Sequence, residues 1–442
     1  MKTQISNMPQ KGMNDYYPEE MAVRNYIFSV WRDVCTRFGY KEYLTPLLEP
    51  ADLYRAKSGE DVGGKELMIL TDRAGRELSI RPEMTPSVTR LVSRIYQKEQ
   101  KPIRLFSIAN FIRNEKPQRG RNREFWQLNY DLFGSTSINS DIEIAQVALE
   151  IMLSFLPPKN SFIMRINSRK VIEDIFDMLK FSPEQRIGVI RVMDKITKLG
   201  RQEIIDRLKE TGAGNECIRV ILSIMDSNFN VKDIEKQLGL PENLESVKEL
   251  NEFMDKLNSL GYGEFIEFNP SVLRGFDYYD GIVFEVFDTN PLNNRSMFGG
   301  GRYNGLASIF GTESFPAVGC APGDVTTSLF LESWGVIDRI KNMVKEKRVY
   351  IPLTDNKYYF KIMEIARDIR KEEISVSVGV EIQAISKAVS YADKGGYSYC
   401  IIVDENEFTQ NTVSIRDMIL RTQQTTTLET AFYIIKKDRG LN

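Results

Sequence analysis

The stretch Phe111–Gly134, FIRNEKPQRGRNREFWQLNYDLFG, decides how the chain is to be understood. Residues 103–113 (IRLFSIANFIR) and 123–133 (REFWQLNYDLF) read as strands, and NEKPQRGRN between them supplies turn formers. This predicts a β-hairpin with a basic tip. Arg113, Lys116, Arg119, Arg121 and Arg123 fall within eleven residues, with Glu115 among them and Pro117 and Gly120 shaping the turn. Guanidinium forks match phosphate oxygens bidentately, so such a tip suits a triphosphate. In the second strand side chains alternate between faces. Phe125, Gln127, Asn129 and Asp131 share one side; Trp126, Leu128, Tyr130 and Leu132 share the other. An aromatic, two amides and a carboxylate on one face make a pocket floor, with the opposite face packed into a core.

Outward from the hairpin, the chain divides into three textures. Residues 1 to about 169 mix helix and strand patterns: Val23, Ile27, Val30 and Trp31 line one helical face before Gly39 ends it. Residues 170–262 carry helical periodicity (SRKVIEDIFDMLK, RIGVIRVMDKITKLG, ENLESVKELNEFMDKLNSLG) and read as a helical insertion. Strand pattern returns over 263–335, at GIVFEVF (residues 281–287), before the glycine-rich MFGGGRYNGLASIFG. After a linker around SWGVIDRIKNMVKEK, residues 347–442 alternate strands (RVYIPL, ISVSVGV, YSYCIIVDE) with helices (KIMEIARDIRKE, EIQAISKAVSYADKGG). That alternation is the pattern of a small α/β domain.

Composition sets bounds. A length of 442 residues exceeds one hydrophobic core. Lys+Arg 59 against Asp+Glu 61 excludes a globally basic coat but permits a local basic patch. No apolar run reaches the ~20 residues of a membrane helix, and the first residues lack a secretory apolar core, so the chain reads as cytoplasmic. Four separated cysteines form no C-x-x-C pair. Histidine is absent altogether. Ser-His-Asp triads, His-ligated metals and histidine proton shuttles are therefore excluded, and protein side chains alone offer no metal centre. Catalysis must rest on arginine, lysine, carboxylates, hydroxyls, backbone groups or an ion brought by a substrate.

Three further segments carry chemistry. In Arg81-Pro82-Glu83-Met84-Thr85-Pro86 the prolines restrict the backbone, holding a carboxylate and a hydroxyl as acceptors for an ammonium group. The same run reads as a helix start with Thr85 as N-cap. Arg274-Gly275-Phe276-Asp277-Tyr278-Tyr279 leads into a buried strand and offers a fixed cation. Gly299-Gly300-Gly301-Arg302-Tyr303 permits close backbone approach to a ligand.

These segments together resemble the histidyl-tRNA synthetase family of class II aminoacyl-tRNA synthetases. QKGMNDYYPEE is similar to its N-terminal signature, and GYKEYLTPLLEP to class II motif 1 with Pro46 as its proline. The hairpin is similar to motif 2, while LRGFDYYDGIVFE and GGGRYNGL resemble the stretches particular to the histidine enzymes. The resemblance implies an α+β catalytic domain built on an antiparallel sheet, a C-terminal anticodon-binding-like domain and a homodimer. It also implies L-histidine, ATP with Mg2+ and tRNA(His) as partners. Arg113 would hold the ATP α-phosphate and the substrate carboxylate, Glu115 would lie near the adenine amino group, and Phe125 would stack on adenine. Arg121 would serve ATP. Glu83, Met84 and Thr85 would receive the α-ammonium; Gln127, Asp131, Tyr278 and Tyr279 would line the histidine pocket. Arg274 would be the cation at the α-phosphate, and Gln118 and Arg123 would meet the tRNA acceptor end. Adenylation is an in-line displacement dominated by positioning and charge stabilisation, within reach of a protein lacking histidine.

The chain departs from the family pattern twice. FPAVGCAPGDVTTSLFLE, resembling motif 3, has Asp324-Val325-Thr326 where a glutamate and an arginine are usual. Either Arg302 or Arg121 supplies the missing cation, or adenylation is lost. Asp131 stands where many relatives carry glutamate, one methylene longer. The rival to a ligase is a histidine or tRNA sensor, such as a regulatory subunit for ATP phosphoribosyltransferase.

Overall fold

The computed structural model describes residues 5–56, 64, 66–193, 199–226, 231–272, 279–293, 295–311, 313–343 and 348–437. The chain forms two compact units, divided between Lys341 and Asn342.

The first is organised on an eight-stranded sheet. Its strands, in chain order, are β1 (Lys41–Glu42), β5 (Ile103–Ile112), β6 (Glu124–Phe133), β7 (Phe162–Ser168), β8 (Ile266–Phe268), β9 (Ile282–Asp288), β10 (Ser296–Arg302) and β11 (Ala317–Cys320). They lie in the order β1-β5-β6-β11-β10-β9-β7-β8. All neighbours are antiparallel except β1/β5 and β7/β8. The expected hairpin is β5–β6, in continuous register from Ile103↔Phe133 to Ile112↔Glu124.

One face of this sheet is the core. Leu128, Tyr130 and Leu132 pack inward with Phe106, Phe284 and Val286. Helix Ile138–Ser154 lies buried along much of its length, and the Tyr130 hydroxyl donates to the Ile144 carbonyl at 3.0 Å. Helix Pro18–Arg37 begins with proline in its first turn and a Glu20 carboxylate accepting from Tyr17 N–H at 2.9 Å. It buries Val23, Ile27, Trp31 and Val34, while Val30 is half-buried. A second sheet of the unit, β2 (Leu48–Pro50), β4 (Glu77–Ile80) and β3 (Met68–Thr71), runs in the order β2-β4-β3 and feeds helix Thr85–Ile95.

Between β7 and β8 the described residues form the helices Arg169–Met178, Pro183–Met193, Arg201–Glu210, Asn215–Asp226, Ile234–Leu238 and Glu245–Leu257. Their apolar stripes, such as Val171, Ile172, Ile175 and Phe176, are buried.

The second unit holds β12 (Arg348–Leu353), β13 (Ser375–Ile382), β14 (Tyr399–Ile402), β15 (Val413–Asp417) and β16 (Gln423–Thr426), in the order β13-β12-β14-β15-β16. β12 is parallel to both neighbours and the β14–β15–β16 end is antiparallel, so the sheet is mixed. Helices Tyr359–Lys371 and Leu428–Lys437 close a core of Ile351, Ile362, Ile365, Ile369, Ile401, Ile415 and Ile435.

The boundary between the units falls inside the expected linker, which also carries helix Val336–Met343 with Val336 and Ile340 buried one helical turn apart. Two expectations are corrected. β13 runs on to Ile382, paired with Leu353, so the next helix starts only at Ile385. Thr85 is the first helical residue rather than the N-cap. Met84 holds the cap position, and the Thr85 carbonyl accepts from Thr89 Oγ1 at 2.8 Å.

Candidate active site

The sheet face opposite the core is where the sequence-selected residues converge. Register places Leu105, Asp131, Gly319, Gly301 and Val283 in one row across five strands. The glycines make this row a floor. A Cβ on Gly319 would lie 1.9 Å from Asp131 Oδ1, and one on Gly301 would lie 2.8 Å from Tyr279 Cδ1 and 2.9 Å from Val283 Cγ1. The Asp131 carboxylate and the Tyr279 ring thus lean over two adjacent side-chain-free positions. Tyr303 Oη donates to Asp131 Oδ1 at 2.6 Å. Burial pushes the Asp131 carboxyl up to about 7, and the Tyr303 hydrogen bond pulls the other way. Gly319→Ala drives a methyl group into that carboxylate. The expected result is a raised KM for the side-chain ligand of this pocket, with about 1–3 kcal/mol of lost stability from overpacking. Substrate titration and thermal unfolding check both.

A second row lies beside the first. Ser107 pairs with Asn129, and Tyr43 N–H donates to Phe106 O at 2.9 Å, bringing Tyr43 alongside. Ser107 Oγ, Asn129 Nδ2 and Tyr43 Oη are buried and have no hydrogen-bond partner among the described residues. Polar atoms buried in this way are ordinarily satisfied by solvent or ligand. Sequence alternation put Asn129 on this face; nothing local flagged Ser107 or Tyr43. Gln127 Nε2 donates to Ala321 O at 3.2 Å, fixing its amide one row further on.

Arg113 closes the hairpin neck, its N–H donating to Arg123 O at 2.8 Å. Its Nε donates to Pro82 O at 3.0 Å and its guanidinium lies 5.1 Å over the Phe125 ring. Phe125 stacks on Phe111 with centroids 5.8 Å apart. Through Pro82, Arg113 meets the Glu83-Met84-Thr85 segment. Glu83 and Met84 are buried and Thr85 half-buried. That segment is anchored by Arg81, which donates from Nε to Asn110 O and from Nη1 to Thr45 O, both at 2.9 Å.

At the tip, Gln118 and Arg121 exchange backbone hydrogen bonds, and Arg121 pairs with Glu115 at 3.1 Å. Arg123 Nε donates to Glu115 O at 3.1 Å, and Arg295, from the loop before β10, donates to Gln118 Oε1 at 3.1 Å. Two residues expected to act separately, Glu115 and Arg121, are therefore a pair.

Arg302, one of the two residues expected to stand in for the motif 3 arginine, has its side chain held within the fold. It is buried, gripping the Asp141 carboxylate and donating to Ser135 O at 2.8 Å and Ser137 O at 3.1 Å. Removing one partner of a buried pair costs about 3–5 kcal/mol. Arg302→Met is accordingly expected to lower thermal stability on that scale; unchanged melting with a raised KM for nucleotide would return Arg302 to the site. In the motif 3 segment, Asp324 Oδ2 pairs with Arg24 at 2.6 Å while Oδ1 accepts from Trp126 N–H at 2.9 Å. Thr326 Oγ1 donates to Met297 O at 2.8 Å. A charged Arg24 on the buried stripe of an amphipathic helix was the available signal for such a partner.

Arg274 and Tyr278 lie outside the described residues. Among the described residues no group of three or more cysteine, aspartate or glutamate side chains could hold a metal ion, and no helix is long and apolar enough to cross a membrane. In the second unit, the acidic run Asp404–Glu407 is a helix start. The Asp404 carboxylate accepts from Asn406 N–H at 3.0 Å, and Glu407 accepts from Ser414 Oγ at 2.6 Å. Arg416 Nη1 lies 3.5 Å from Gln423 Oε1.

An antiparallel sheet with a basic hairpin crossing one end, a polar and glycine-floored face, and flanking helices defines the catalytic fold of class II aminoacyl-tRNA synthetases. A crystal structure of histidyl-tRNA synthetase from a Nostoc species superposes with TM-score 0.82 over 98% of this chain and 100% of that one, at 20% identity. The histidyl-tRNA synthetase profile matches residues 12–323 and an anticodon-binding-domain profile matches residues 347–438. The chain is 39% identical to the histidine–tRNA ligase of Leptospira biflexa over 429 residues, 97% of each. It is 36% identical to that of Pyrococcus horikoshii over 412 residues, 92% of this chain and 94% of the relative. The chain belongs to the histidyl-tRNA synthetase family.

Proposed function

We propose that this protein is a histidine–tRNA ligase: it joins L-histidine to ATP as histidyl-adenylate, releasing pyrophosphate, and passes the histidyl group to the 3′ end of tRNA(His). The observation that carries this reading is the Asp131–Gly319–Gly301–Tyr279 arrangement on the face of the sheet that leads to Arg113 and Phe125. Neutral imidazole has one N–H donor and one acceptor. Asp131 takes the N–H, a tyrosine hydroxyl donates to the other nitrogen, and the glycines leave room for the Asp131 carboxylate and the Tyr279 ring that border the imidazole. Ligands lacking these groups strand buried polar atoms, the basis of strong rejection.

Glu83 and Thr85 receive the α-ammonium, with Met84 and Gln127 beside them. Arg113 and Arg274 bring the substrate carboxylate and α-phosphate together, and Phe125 carries the adenine near Glu115. Mg2+ enters with ATP as part of that substrate. With Arg302 committed to Asp141, the cations for the outer phosphates are Arg121 and Arg295, which flank the hairpin tip. Gln118 and Arg123 meet the tRNA acceptor end. Residues 1–169 and 263–335 form the catalytic domain, 170–262 its helical insertion and 347–442 an anticodon-binding domain. We assign the protein to the cytoplasm as a homodimer.

The named ligase relatives favour this reading over a regulatory subunit. Histidine-dependent exchange of pyrophosphate into ATP, followed by charging of tRNA(His), tests it. Histidine binding without exchange would support the sensor instead.

A further inference from the structure

The antiparallel neighbour of β6 stops short. β11 ends at Cys320, yet β6 runs on to the hairpin neck at Glu124, and its outward N–H groups need acceptors there. They find them in series: Leu128 N–H donates to Pro322 O at 2.9 Å and Trp126 N–H to the Asp324 carboxylate at 2.9 Å. Glu124 and Arg123 N–H then donate to Gly12 O at 3.3 and 2.8 Å. The last acceptor comes from the N-terminal segment QKGMND, the signature stretch without a role in the site as described so far.

Gly12 is specific to this position. Met13 N–H donates to Gln10 O at 2.9 Å, closing a turn in which Gly12 has φ +89°. A Cβ there would lie 2.5 Å from Pro117 Cγ and 3.0 Å from Arg123 Cγ. The backbone of Gly12 thus touches the hairpin at its neck and at the base of its tip. A second brace follows in the chain: Tyr16 lies 4.0 Å from the Arg24 guanidinium, which holds Asp324 and through it Trp126. The tip rests on Leu329, whose Cδ1 is 3.6 Å from the Cβ position of Gly120.

We propose that the turn Gln10–Met13 is a positioning element of the ATP and acceptor-end site. It clamps the neck of the basic hairpin and so fixes where Arg113, Glu115, Arg121 and Arg123 present their charges. The proposal rests on the ligase reading for its kinetic test only.

Gly12→Ala in the full chain tests it. The expected result is a KM for ATP in pyrophosphate exchange raised about 10- to 10²-fold, the range for a displacement near 1 Å. The KM for histidine rises by a clearly smaller factor, because of its ligands only Arg113 sits at the clamped neck while the Asp131 row is braced by β11. A merely structural glycine would lower the melting temperature and the active fraction while leaving both KM values alone, and that outcome overturns the clamp. Gly12→Ala/Pro117→Ala removes the nearest crowded atom while Arg123 Cγ and the positive φ remain, so part of the lost ATP affinity is expected to return; equal defects in both variants contradict the proposal. Should the wild-type protein show no exchange, the ligase reading falls and the clamp is judged by amide hydrogen exchange over residues 113–123. Exchange about tenfold faster in Gly12→Ala supports it, and identical protection overturns it.

Discussion

Arg113→Gln lowers the rate of histidine-dependent pyrophosphate exchange about 10²–10³-fold, the loss seen when one fixed transition-state donor is removed. The guanidinium is held rather than consumed by the fold: Nε is tied to Pro82 O, the plane lies over Phe125, and its terminal nitrogens have no partner among the described residues. Charge builds on the α-phosphate oxygens as the substrate carboxylate attacks, and a cation already in place needs little reorganisation to meet it. Because Arg113 is half-buried and makes a single side-chain hydrogen bond to protein, the variant is expected to melt within a few degrees of wild type. Exchange kinetics and thermal unfolding on one preparation check both halves. A variant that loses stability but keeps its rate per folded molecule would place Arg113 in the scaffold.

Asp131→Asn is expected to raise the KM for histidine roughly 10- to 10²-fold, the value of a hydrogen bond to a charged group, with the KM for ATP unchanged. The amide keeps an oxygen for the 2.6 Å bond from Tyr303 but turns a donor toward the imidazole N–H. The same substitution acts oppositely on stability. Burial raises the Asp131 carboxyl to about 7, so between roughly pH 4 and 7 the folded protein retains a proton that the unfolded chain releases. Stability therefore falls as pH rises through that window. The substituted amide carries no such proton, so the variant should melt above wild type at pH 8, and the gap should close towards pH 4. In wild type, histidine affinity improves as pH rises through 7 and the carboxylate forms. The variant retains only the limb due to the substrate's own imidazole. Melting and binding series across pH 5–8 measure these effects, and a wild-type advantage in melting at pH 8 would contradict the assignment.

The hairpin was legible almost to the residue because everything that forms it is local: alternation in two ten-residue strands and a loop of turn formers. The face shared by Phe125, Gln127, Asn129 and Asp131 followed from the same period. What sequence left out is non-local. That Gly319 rather than a larger residue sits beneath Asp131 depends on the register of β6 with β11, and Arg24 meets Asp324 across 300 residues. Arg302 follows three glycines in a ligand-like motif, yet its side chain is drawn to a carboxylate on a helix 161 residues earlier. The helix in the linker was hidden by its shortness, since two buried positions make a weak periodic signal. The N-terminal signature was recognisable as a motif, but its job became visible only when β6 proved longer than its neighbour.

The most direct test of the account is a crystal structure with a non-hydrolysable histidyl-adenylate analogue, the sulfamoyl group standing for the α-phosphate. The expected result is an imidazole beside Asp131 and Tyr279 with its N–H on Asp131 at hydrogen-bonding distance, about 2.7–3.0 Å, the adenine on Phe125 and the Arg113 fork on the sulfamoyl oxygens. An imidazole seated away from Asp131, or a nucleotide that leaves Phe125 and Arg113 untouched, would contradict it.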